Sequence, residues 1–97
     1  MRFLVKIPIP TAAENPVVSE PDFEQKLRNL YIEVGAQKAY STTQDGPRID
    51  WIVVDIKDAK LITPTAEFIF RLLKVKPEFL TEDLWPQWLL ISFSPKF

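Results

Sequence analysis

Four side chains in this 97-residue chain are of types that do chemistry when they converge: Lys6, Tyr40, Asp50 and Trp51. A lysine on a strand inside a cavity presents a fixed positive charge to an anionic or enolate-like group. A tyrosine, a carboxylate and an indole around one cavity, with Thr42 beside them, recognise an aromatic or polyketide-like small molecule. Each residue also has a plainer use. Lys6 can snorkel to a rim or pair with Asp50 or Glu78, tyrosine and tryptophan are favoured in strands, and an aspartate beside a turn is usually solvated. Asp55 and Asp58, interleaved with Lys57 and Lys60, lack the ligand number of a metal site and read as a loop and helix start, so no metal is assigned.

Composition removes other chemistries. With no cysteine there is no thiolate nucleophile, disulfide framework or Cys-type zinc site, and with no histidine there is no Ser–His–Asp triad or imidazole acid/base switch. Two glycines cannot build a phosphate-cradling loop, and no cofactor is assigned. Twelve basic residues against thirteen acidic ones leave a net charge of −1, and the basic residues are scattered, which argues against nucleic-acid binding. Charged residues interrupt the apolar start (Met1 to Pro8), and the uncharged run from Leu84 to Pro95 is short and holds two prolines. Neither is a membrane span, and a soluble cytoplasmic protein is expected.

The elements that must position these residues follow from period and punctuation. Residues 2–9 alternate, Phe3, Val5, Ile7 and Ile9 against Arg2, Leu4, Lys6 and Pro8, which is a half-buried strand. Residues 10–18 read as a loop. Ser19-Glu20-Pro21-Asp22 starts a helix whose stripe is Phe23, Leu27, Leu30, Tyr31 and Val34, with Gly35 as its left-handed cap. Two β-rich runs, Lys38–Thr43 and Arg48–Asp55, flank Asp45-Gly46 and predict a hairpin; the second is apolar on both faces, as a covered central strand would be. Thr63-Pro64 opens a second helix with Ala66, Ile69, Phe70 and Leu73 inward, and Lys74–Leu80 is a last, proline-marked edge strand. The order β-α-β-β-α-β predicts an α+β fold, a four-stranded antiparallel sheet with both helices on one face. Its other face would carry Leu4, Trp51 or Ile52, and Phe79 or Leu80. A bare apolar face predicts a homodimer paired sheet to sheet. The aromatic stretch 85–97 is expected to pack on the domain formed by residues 1–84 or on a partner subunit.

Three stretches carry a family resemblance: Met1 to Ile7, Ala39 to Gly46 leading into Trp51-Ile52-Val53-Val54-Asp55, and Pro77 to Leu84. Together they resemble the dimeric α+β barrel superfamily of ferredoxin-like halves, with its muconolactone-isomerase-like, antibiotic-biosynthesis-monooxygenase-like and YCII-related members. The resemblance implies a sheet-lined cavity that binds a small hydrophobic or anionic ligand. Its alternative implication is cofactor-independent isomerase or monooxygenase chemistry, with Lys6 as electrostatic group, Tyr40 and Asp50 as acid/base groups and Trp51 as packing wall. Many catalytic members use a pocket histidine, which this chain lacks.

Overall fold

The computed structural model describes residues 1–43 and 46–89; residues 44–45 of the expected hairpin turn and residues 90–97 of the aromatic stretch lie outside the described residues. Six principal elements follow in the order β1 (Arg2–Pro8), α1 (Phe23–Glu33), β2 (Ala36–Thr42), β3 (Ile49–Asp55), α2 (Ile62–Leu73) and β4 (Glu78–Leu80). The strands form one antiparallel sheet in the order β2-β3-β1-β4, so the fold is α+β. The two strands flanking each helix are separated by one strand of the other unit. Among the described residues no helix is long and apolar enough to cross a membrane.

The alternation of β1 decides which side chains meet. Phe3, Val5 and Ile7, with Ile52 and Val54 of β3, face the helices and pack against Phe23, Leu27, Leu30, Ile69 and Leu73. Burying each such aliphatic or aromatic side chain contributes roughly 1.5–3 kcal/mol, so this layer is the main core. Both faces of β3 are covered, as its two-sided apolar run implies.

The opposite face is not bare, which corrects the argument for a second copy. Leu4 of β1 and Val53 of β3 are fully buried there beneath Trp85 and Leu89 of the same chain, with Leu80, Trp51 and Tyr40 packed around them. A 3-10 turn at Glu82–Leu84 carries the chain back over the sheet. The Trp85 Nε1–H then donates to the Leu80 carbonyl at 2.9 Å and fixes the return. The chain therefore brings its own cover for the middle of this face.

Several termini differ from expectation for local reasons. Ser19 does not cap α1; its hydroxyl donates to the Pro16 carbonyl at 2.9 Å and closes a 3-10 turn over Pro16–Ser19, within and just beyond the expected loop. Asn15 caps that turn with its Oδ1, while its Nδ2 donates to the carbonyls of Leu72 and Leu73 at 3.2 and 3.0 Å. One side chain thus satisfies orphan groups at the ends of two helices. Gly35 sits at φ +78°, the left-handed cap expected of it. Lys74 adopts φ 59° at the end of α2, and with Pro77 this shortens the last strand to Glu78–Leu80.

Candidate functional site

The register puts three of the four candidates on one face. Trp51 of β3 lies opposite Lys6 of β1 on one side and opposite Tyr40 of β2 on the other, so their side chains share the face away from the helices. The Lys6 Nζ stands 5.5 Å from the centroid of the Trp51 ring, a cation–π distance. The Trp51 indole N–H donates to the Thr42 hydroxyl at 2.9 Å, which fixes the ring's orientation. Trp88 crosses above, edge-on to both Tyr40 and Trp51 with centroids at 5.8 and 5.7 Å and interplanar angles of 83°. Lys6 is half-buried, and among the described residues no ion pair joins it to Glu78, its neighbour across β4, or to any other carboxylate. The result is a cation on an aromatic floor with no carboxylate paired to it among the described residues.

Asp50 does not join them. It alternates with Ile52 and Val54, so it faces the helices, and it is 1% exposed instead of solvated. Its carboxylate is surrounded by donors from two elements and a loop. The Tyr31 hydroxyl of α1 donates to Oδ2; the Ser41 hydroxyl of β2 donates to Oδ1 at 2.7 Å. Arg48 donates through Nε to Oδ1 at 2.9 Å and through Nη2 to Oδ2 at 3.2 Å. The same guanidinium reaches Glu24 with both of its Nη groups. A carboxylate accepting four hydrogen bonds has little capacity left for a substrate proton. The arrangement ties α1, β2 and β3 together beside a small cavity of about 200 Å³, lined by Tyr31, Tyr40, Ser41, Arg48 and Asp50 among others.

Electrostatics agree with a structural role. The hydrogen bond from Arg48 holds the Glu24 carboxyl below its ordinary value. Burial, reinforced by the Asp50 charge, pushes the Tyr31 hydroxyl well above its own, so it stays a neutral donor. Hydrogen bonds to Glu24 and then Asp50 raise Arg48 and keep it charged. Sequence reasoning missed Tyr31, Arg48 and Ser41 as partners of Asp50. The available signal was the spacing of Asp50, Ile52 and Val54, which already placed the aspartate on the core face.

The remaining carboxylates have simple tasks. Asp55 accepts from the α-ammonium of Met1 at 3.0 Å, and this contact lowers its pKa. Asp58 Oδ1 accepts from the Lys60 N–H at 2.9 Å and caps the 3-10 turn that leads into α2. Compared with family models, curated proteins and solved structures, the chain matches none of them.

Proposed function

We propose that the protein is a small-molecule-binding module whose sheet face, at Lys6, Tyr40 and Trp51, takes a ligand that is both hydrophobic and anionic. One observation carries this reading: the half-buried Lys6 ammonium lies 5.5 Å over the Trp51 ring with no carboxylate partner among the described residues. An aromatic monoanion supplies both the missing counter-charge and a surface for the indole and phenol rings. The isomerase or monooxygenase alternative draws on Asp50 as an acid/base group beside Lys6 and Tyr40. Asp50 lies across the sheet from Lys6, and its carboxylate already accepts four hydrogen bonds, which counts against it.

The test uses 8-anilinonaphthalene-1-sulfonate, an aromatic monoanion whose fluorescence reports binding. Saturable one-site binding is expected, weakened about tenfold in Lys6→Gln, the loss of one charge-assisted contact. Equal affinity of the variant and the wild type would remove Lys6 from the site and this reading with it.

A second reading concerns assembly. Trp88 is 41% exposed above the half-buried Tyr40 and Trp51, so apolar surface remains on this face beyond the chain's own cover. The separation of the strands flanking each helix is compatible with a ferredoxin-like half. Two such halves meeting here would form a homodimeric α+β barrel. Sedimentation velocity at micromolar concentration is expected to show a dimer of the 11.3 kDa chain, and a folded monomer under those conditions argues against it.

A further inference from the structure

Hydrogen-bond alternation along β1 shows what the free edge of β4 offers. Ile56 N–H donates to the Met1 carbonyl at 2.9 Å, the Met1 nitrogen donates back to the Ile56 carbonyl at 3.2 Å, and Ile9 N–H donates to the Arg48 carbonyl at 3.0 Å. Odd-numbered residues of β1 therefore direct their backbone bonds to β3, and Leu4 and Lys6 direct theirs to Leu80 and Glu78. Phe79, opposite Val5, is left with its N–H and C=O pointing away from the sheet. Among the described residues β4 has no strand on that outer side. The Phe79 side chain turns inward, edge-on to Phe3 at 6.1 Å. Immediately outside it, between β4 and α2, runs a mostly apolar groove of about 370 Å³ whose lining includes Ile62, Ala66, Phe70, Pro77 and Phe79, with Lys76 and Glu67 as its charged residues.

We infer that this edge binds an extended segment of a partner protein, added as a fifth strand antiparallel to β4, with an apolar side chain in the α2–β4 groove. Residues paired across neighbouring strands share a face, so the partner residue that exchanges backbone bonds with Phe79 is also the one whose side chain enters the groove. An antiparallel segment carries its C-terminal side past Pro77 towards Lys76. Lys76 and its neighbour Lys74 are exposed and have no ion pair among the described residues. The partner chemistry that fits is an apolar residue followed two positions later by an acidic one. A second copy of this chain fits less well: its Phe79 is already packed in its own core, and the residue two positions on, Thr81, is not acidic.

The probe is the acetylated peptide Thr-Val-Leu-Thr-Asp-Ser, titrated into the ¹⁵N-labelled full chain. Saturable binding on the order of 100 µM is expected, with the Phe79 amide shifted and protected from hydrogen exchange. Methylating the backbone nitrogen of the peptide leucine should weaken binding at least about tenfold, because it deletes the bond to the Phe79 carbonyl. Lys76→Glu should weaken it about fivefold. Equal binding of the methylated peptide, or shifts confined to other surfaces, would overturn the proposal. So would protection of the Phe79 amide that rises with protein concentration in the absence of peptide, since a second copy would then be the occupant.

Discussion

Replacing Asp50 by alanine is expected to lower the unfolding free energy by about 3 kcal/mol, measured by urea denaturation. The side chain is 1% exposed and accepts from Tyr31, Ser41 and Arg48. Its removal leaves a buried phenol and a partly buried guanidinium, with side-chain exposure of 29%, without their acceptor. The second carboxylate on Arg48, Glu24, is largely exposed and offsets only part of that loss. A domain of this size has roughly 5–15 kcal/mol in total, so the variant should melt at least about 10 °C lower. The network also makes stability pH-dependent in a defined direction. The folded pKa of Tyr31 lies above its ordinary value of 10.0, so the stability that its protonated hydroxyl contributes is complete below that value and lost as pH rises through the folded one. Tyr31→Phe should therefore lose less stability at alkaline pH than the wild type. An Asp50→Ala protein within about 0.5 kcal/mol of wild type would show that the network is idle.

Trp85→Ala is expected to cost about 3–5 kcal/mol, and Leu89→Ala about 2–5 kcal/mol. Both side chains are buried against Leu4 and Val53 on the face away from the helices. Trp85 additionally loses its bond to the Leu80 carbonyl and the stacking of the Arg2 guanidinium, 5.5 Å from its ring. Uncovering two fully buried aliphatic residues on a sheet face should also drive self-association, visible as faster sedimentation of the variants than of the wild type. An unchanged urea midpoint for Trp85→Ala would mean that the return of the chain over the sheet contributes nothing to the fold.

These two regions also mark where sequence reasoning succeeds and where it stops. The alternation of β1 assigned Phe3, Val5 and Ile7 to one face and Leu4 and Lys6 to the other, because a strand allows no other arrangement. The stripe from Phe23 to Tyr31 and the cap at Gly35 were equally plain, since helix periodicity and the left-handed region are local properties. Residue type alone groups Lys6, Tyr40, Asp50 and Trp51; the register of β1, β2 and β3 sets Lys6 and Tyr40 beside Trp51, and alternation turns Asp50 to the other face. The partners of Asp50 could not be read from residue type. Tyr31, 19 residues away, is brought in only by the packing of α1 on the sheet, and Ser41, 9 residues away, only by the register that sets it opposite Asp50. The cover over Leu4 and Val53 was hidden for a related reason. Pro86 marks the end of a turn, but it does not say over which surface the following aromatics pass.

The central position of β1 bears on how the chain reaches this structure. This strand pairs Val5 with Ile52 on one side and with Phe79 on the other. The first of these neighbours follows β1 only after α1 and β2, and the second only after α2 as well. β2 and β3, by contrast, pair across a short connection and can form early as a hairpin. Closing the sheet is thus a non-local event that must overcome the entropy of long loops, a cost that helical bundles with local contacts avoid. Until β3 has been made, the apolar residues of β1 have no strand to pair with and stay open to other contacts.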